Sequence, residues 1–408
     1  LLVFRVGSFI PVPGLDSSVL KALVSQGGSL FGLIDVVTGG AFSNATIFAM
    51  SITPYINASI IMNLLTVAIP RLEQLAKEGE EGRKIIGKYT RYGTVVLGFI
   101  QAIGLYFTLF NMRAVFEPGF LSFIIITLTF TAGTAFLMWL GEQITEYGIG
   151  NGISLLIFAG IVSRVPMMIN SLYQYVAVSF YPNIFTALAV AAGLLGVIAA
   201  IVWVQDAERR IPVQYAKRIV GRRMYGGQST HIPLKVNLAG VIPIIFAMSL
   251  MMFPATILQF YNPNPDTSTA WGRFLKWLLS DVVSPGRPVN AGFYALFIIF
   301  FTFFYTVITF NPVEVANTMK RNGGFIPGIR PGKPTADYIS RVLNRITWFG
   351  ALFLAAVSIF PYAITWFTNI RLIGFSGTAL LIVVGVALDT VKQIEAQMLM
   401  RHYKGFLE

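Results

Sequence analysis

The chain has 408 residues, 55% of them hydrophobic and only 12% charged, with a formal net charge of +12. A mean hydropathy of +0.70 excludes an ordinary soluble domain. The absence of cysteine excludes disulfides, thiolate metal sites and cysteine nucleophiles.

The charges gather between runs of about twenty uncharged or nearly uncharged residues. A run of that length matches the ~30 Å hydrocarbon core of a bilayer at ~1.5 Å rise per residue. Residues 1–10 (LLVFRVGSFI) are half a span long and end at Pro11 and Pro13. The sequence is therefore expected to begin inside a first helix. No basic leader or small-residue cleavage site marks a signal peptide.

Residues 27–45 are apolar in the middle and bounded by Gly27-Gly28 and Gly39-Gly40. The apolar part is too short to cross a bilayer. Two readings stay open from the residues alone: a surface amphipathic turn, or a re-entrant half-helix inside a pore, where Asp35 would face water. Full spans are expected near 46–70, 92–111, 120–141, 151–166, 184–204, 238–260, 291–311, 346–367 and 374–391. With the partial first helix this gives about ten spans. The fold class is an all-α polytopic membrane protein.

The span at 46–70 carries Thr53, Asn57, Ser59, Asn63 and Thr66. Polar groups in a span face other helices or water. Interhelical hydrogen bonding and a helix lining an opening are both open readings.

Lys and Arg concentrate in alternate loops, between 71 and 91, 209 and 235, 320 and 345, and after 392. The positive-inside rule makes those loops cytoplasmic and puts both termini on that side. Two of them, 205–237 and 312–345, are far longer than a turn needs. The positive-inside bias explains their sign and not their length. A docking platform for an anionic or acidic partner explains both. An even split into five and five spans would relate two inverted halves, with a pathway between them.

The spans hold few ionisable groups. Glu142, Asp206 and Asp389 sit near span ends, and His231 and His402 lie outside the spans. There is no HExxH, P-loop or GxGxxG motif. The sequence predicts no catalytic residue, no metal ligand and no cofactor. Vectorial movement would need energy from a partner. Three classes compete: a passive channel, a secondary transporter for a small solute, and an integral-membrane enzyme. Long basic platforms and few buried ionisable groups favour the first.

Several long stretches are distinctive: TPYINASIIMNLLT (53–66), KEGEEGRKIIGKYTRYGT (77–94), EYGIGNGISLLIFAGI (146–161), RRIPVQYAKR (209–218) with GRRMYGGQSTHIPLKVNLAGVIPIIFA (221–247), NPVEVANTMKRNGGFIPGIRPGKPTADYI (311–339) and GTALLIVVGVALD (377–389). Together they resemble the SecY family of bacterial protein-translocation channels. The resemblance implies two inverted five-helix halves forming a clamshell with an hourglass pore. The halves are 1–166 and 184–408, with an external hinge loop at 167–183.

By resemblance, the waist is a ring of Ile52, Ile56, Ile161, Ile245 and Ile382. Taken alone, each is an ordinary lipid-facing or core isoleucine. The plug is 27–45, with Gly28, Asp35, Gly39 and Gly40. Asn57 and Gln101 are the candidates for a lateral gate between spans, a role that competes with fixed interhelical bonding. Lys217, Arg218, Arg222 and Arg223, with Arg330 in GIRPG, are implied contacts for a SecA motor or a ribosome. SecE-like and SecG-like small subunits, secretory precursors with their signal sequences, and the lipid of a bacterial cytoplasmic membrane are the other implied partners.

Overall fold

The computed structural model describes residues 1–25, 35, 38–178, 180–215, 218–220, 223–225, 229–261, 270–283, 287–368 and 377–404. It is built mainly of helices, as a chain crossing hydrocarbon must be, because each segment has to satisfy its own backbone N–H and C=O groups. Six described helices are long and apolar enough to cross a bilayer, and a bent pair makes a seventh.

In chain order the first group of helices is α1 (Leu2–Gly7), α2 (Ser17–Ser25), α3 (Thr53–Ala68), α4 (Pro70–Lys77), α5 (Glu80–Asn111), α6 (Phe120–Tyr147), α7 (Gly152–Val162) and α8 (Val165–Val178). After it come α9 (Phe180–Asp206), α10 (Ile242–Tyr261), α11 (Ala270–Trp277), α12 (Pro288–Thr309), α13 (Pro312–Arg321), α14 (Lys333–Thr368) and α15 (Gly377–Lys404). Every expected span has a helix in it.

Boundaries follow local chemistry. The span expected from 46 begins as a helix only at Thr53, because 46–52 run through turns in which Ala45 and Ser51 take left-handed φ of 52° and 50°. Pro70 lacks an N–H and forces Ile69 into an extended conformation, so α3 and α4 meet at a bend of 100°. Asn151 caps α7 by accepting from the N–H of Ile153 and Ser154 at 3.1 and 3.2 Å. Asp16 accepts from Ser18 Oγ at 2.7 Å and Ser18 N at 2.8 Å as α2 opens. Those bonds hold its carboxyl below the usual carboxylate range.

The connection at 167–183, expected as a hinge loop, is largely helical, covered by α8 and the start of α9. Pro166 and Pro182 fall in first turns, where a missing N–H does no harm.

The two long loops are not loops either. The first forms β1 (Glu208–Tyr215), β2 (Arg218–Val220), β3 (Arg223–Tyr225) and β4 (Ser229–Lys235). The second adds α13 and β5 (Gly324–Phe325), and the larger sheet has the order β4-β1-β5. Pro212 is tolerated in the central strand because β5 meets β1 only at Gln214 and Tyr215. Ile211, Val213 and Leu234 bury one face of the sheet against Met319, Ile326 and Ile339. The two basic segments thus share one small core.

One membrane core draws on residues between Val12 and Phe130, and another on residues between Ile201 and Val384. Small residues let helices approach closely. At Gly133 of α6 an added Cβ would lie 2.0 Å from the carbonyl oxygen of Ile47. Gly→Ala normally strengthens a helix by up to ~1 kcal/mol. Here overpacking reverses the sign, and Gly133→Ala is expected to cost ~1–3 kcal/mol. The measurement is the thermal midpoint of the purified protein in detergent, which should fall.

Candidate functional site

Ile161 and Ile382 are buried in a single apolar cluster with Ile157, Ala379 and Val386. Ile56 and Ile245 pack against it, together with Ile153, Val241 and Val383. The cluster joins α3 and α7 to α10 and α15. Ile382 is 5% and Ile161 7% exposed, and Ile56 and Ile245 are partly buried.

Four of the five isoleucines singled out in the sequence therefore meet. Ile52 does not join them. It lies just before α3, 1% exposed, in a neighbouring cluster with Phe4, Ala41, Phe48, Leu137 and Leu156. Ile56 touches both clusters, since four residues make one turn of helix. Sequence reasoning missed Ile157 and Val386. Each lies four residues from a chosen isoleucine, so the 3.6-residue period was the signal for them.

The segment beside this cluster departs from expectation. Asp35 was expected to face water. It is 1% exposed and paired with the guanidinium of Arg164, which follows α7. Its Oδ1 also accepts from Ser43 N at 2.7 Å. A buried carboxylate needs such partners. Gly39 lies against the backbone of Gly160, where a Cβ would come within 2.8 Å. Arg5 Nη1 donates to the Gly39 carbonyl oxygen at 2.9 Å. Gly40 packs beside Arg164, and Gly28 lies outside the described residues.

Asn57 on α3 and Gln101 on α5 are half-buried. No side-chain hydrogen bond joins them among the described residues. Two ionic contacts cross between helices, with Arg91 Nε donating to Glu142 Oε1 at 2.8 Å and Lys392 Nζ to Asp206 Oδ1 at 2.6 Å.

The basic segments converge on the small sheet. Arg218 and Arg223 lie on β2 and β3, with Arg218 opposite Tyr225 and Arg223 opposite Val220. Lys217 and Arg222 lie outside the described residues. Arg330 is exposed in a turn held on both sides by Gly328 and Gly332, whose φ of 81° and 105° other residues rarely adopt. Thr335 Oγ1 donates to the Arg330 carbonyl oxygen at 2.9 Å. Ile329 anchors the turn in the shared core, leaving the guanidinium outside it.

A family model named SecY matches residues 46–391. The chain belongs to the SecY family. It is 49% identical to the protein translocase subunit SecY of Halalkalibacterium halodurans, over all of this chain and 94% of that relative. Among solved structures, one described as a protein conducting channel has a TM-score of 0.64 at 21% identity, covering 97% of this chain and 90% of the other. Sec61 in a canine ribosome-channel complex has a TM-score of 0.60 at 20% identity, over the same shares of the two chains. At those identities the structures establish the shared fold. The family model and the relative establish the membership, and with it a multi-pass membrane protein.

Proposed function

We propose that this chain forms the channel of a bacterial protein translocase. It passes unfolded secretory polypeptide across the cytoplasmic membrane and releases signal sequences and other apolar helices sideways into lipid. The observation that carries this reading is the apolar seam of Ile56, Ile161, Ile245 and Ile382, supplied by helices from both halves of the chain.

The physics of such a seam suits an unfolded chain. Branched apolar side chains hold water poorly, so a waist built from them resists ions without needing charge. They offer no hydrogen bond to a passing peptide and so grip no particular sequence. They can pack around an extended chain when the two halves part. The halves 1–166 and 184–408 would move about the helical connection at 167–183, and the seam would open toward lipid beside α3 and α10. Asn57 and Gln101 would line that gate.

The chain supplies no chemical energy of its own. As a SecY-family subunit it is a conduit and not an enzyme, and the push comes from a partner. The shared core of the basic segments supports docking on the cytoplasmic side, where both termini also lie. Arg218 and Arg223, with Lys217 and Arg222, would meet ribosomal RNA phosphate or the acidic surface of a SecA-type motor. Arg330 would contact the motor. The ribosome-bound Sec61 relative supports the first of these partners. SecE-like and SecG-like subunits would brace the two halves in the membrane.

The deciding experiment is site-specific crosslinking from position 245 during transport. A photoreactive group at Ile245 should capture a stalled secretory precursor, and only when precursor and ATP-driven motor are both present. Capture of a small metabolite with no precursor adduct would overturn the proposal in favour of a solute transporter.

A further inference from the structure

The strongest unexplained feature is a group of buried hydroxyls where α12, α14 and α15 meet. Pro361 lies inside α14 and has no N–H, so the carbonyl of Val357, four residues back, loses its helical donor. Within a span such a freed carbonyl is satisfied by a neighbouring helix, a hydroxyl or an ordered water. Gly377 starts α15 directly against it. A Cβ there would fall 2.2 Å from the Val357 carbonyl oxygen and 2.6 Å from Ser358 Cα. Thr378 follows, 4% exposed, beside Tyr294 of α12. Tyr362, one turn after Ser358 and on the same face of α14, also lies beside Tyr294.

Ser358 is 1% exposed and Tyr294 7%. Among the described residues, neither Ser358 Oγ nor Tyr294 Oη makes a hydrogen bond of good geometry. Other hydroxyls buried in the spans are spent on their own helix. Thr302, Thr306 and Thr347 donate to the carbonyls of Ile298, Thr302 and Leu343 at 2.6, 2.7 and 2.9 Å. Ser358 stands in the same relation to Leu354 and makes no such bond.

We propose that this junction is a binding site for one buried water molecule, held by Ser358 Oγ, Tyr294 Oη and the Val357 carbonyl oxygen. The water splints the break in the hydrogen bonding of α14 to α12. A hydroxyl both donates and accepts, and a carbonyl accepts, so these groups offer a water the two to four bonds it needs. None of them carries a charge, and Tyr294 and Val357 belong to one apolar cluster with Ile298, Leu354, Leu380 and Leu381. A bare cation would lose its hydration there with no carboxylate to offset the loss, so the ligand is neutral. The close approach of Gly377 to α14 keeps it small. Neither the site nor its test depends on what the channel carries.

The test uses the complete translocase, purified in detergent. Tyr294→Phe and Ser358→Ala each delete one hydroxyl at nearly constant shape. With a shared water, each should lower the thermal midpoint by about 2 °C, because the water and its remaining partners lose a bond. The double variant should fall no further than the worse single one, since the second hydroxyl has nothing left to bind once the water is gone. An unchanged or raised midpoint in either single variant overturns the site, because deleting a hydroxyl that holds no ligand relieves a buried polar group. Losses that add in the double variant overturn it too, since independent hydroxyls share no water. The second measurement is a density map of the unsubstituted complex fine enough to show ordered water, which needs no variant to fold. One peak ~2.7–3.2 Å from both Ser358 Oγ and the Val357 carbonyl oxygen is expected. Protein atoms filling that space would refute the site. Exchanging sodium and potassium for choline checks for a cation. The midpoint should not move, and a fall that is absent in Ser358→Ala would replace the water with a bound cation.

Discussion

Replacing Ile56, Ile245 and Ile382 together with glycine is expected to make resting membranes permeable to ions. The three side chains belong to α3, α10 and α15 and meet in one apolar cluster. Their removal opens a void at the point where the two halves touch. A void lined by apolar groups excludes water only while it is narrow, and a widened, backbone-lined one hydrates. Glycine also costs ~1 kcal/mol at each helix-interior position, and each lost side chain removes a further ~2–5 kcal/mol of packing. The triple variant is thus expected to be less stable as well as leaky, so the conductance must be read on monodisperse protein. Ile→Leu at the same three positions preserves volume and should keep the seal. A glycine variant that stays folded and conducts no more than the starting protein would count decisively against the seam as the barrier.

The second large effect is at Arg330. Arg330→Glu is expected to abolish motor-driven export of a secreted precursor while leaving the protein folded. The side chain is exposed, and the turn beneath it is fixed by Thr335 and by Ile329 in the shared core. Reversing a surface charge costs the fold little. Reversing it inside a docked, hydrogen-bonded interface costs ~2–5 kcal/mol, more than tenfold in binding. Arg330→Lys should fall between, because lysine keeps the charge and loses the planar fork. Purified protein, motor and precursor in vesicles give the rate directly. Undiminished export by the glutamate variant would remove Arg330 from the docking surface.

The residues differ in how legible they were. The spans could be read from hydropathy because lipid admits few solutions to backbone hydrogen bonding. The hairpin of β1 and β4 was missed although its signal was present. Ile211 and Val213 alternate with polar or exposed neighbours, a two-residue period that marks a half-buried strand. It was masked by the density of basic residues, which reads as a solvated loop. The connection at 167–183 was read as a loop, and Pro182 within it does no harm to a helix because it falls in the first turn of α9.

The site divides the same way. Ile52 and Ile56 are one turn apart by spacing, yet only Ile56 reaches the seam cluster, while Ile52, which precedes the start of α3 at Thr53, stays in the neighbouring one that both touch. Asp35 was noticed as an unusual charge, and its partner was not, since Arg164 lies more than a hundred residues away along the chain.

Sequence by itself determined that this protein lives in a bilayer, which loops carry positive charge, and to which family it belongs. Those properties reside in local composition and in long runs of matching residues, and need no knowledge of who touches whom. Tertiary structure decided which isoleucines meet, that two basic segments form one body, and that a lone carboxylate is neutralised by a distant arginine. Each of those depends on bringing together segments far apart in the chain, and one sequence carries no period or spacing that encodes such a meeting.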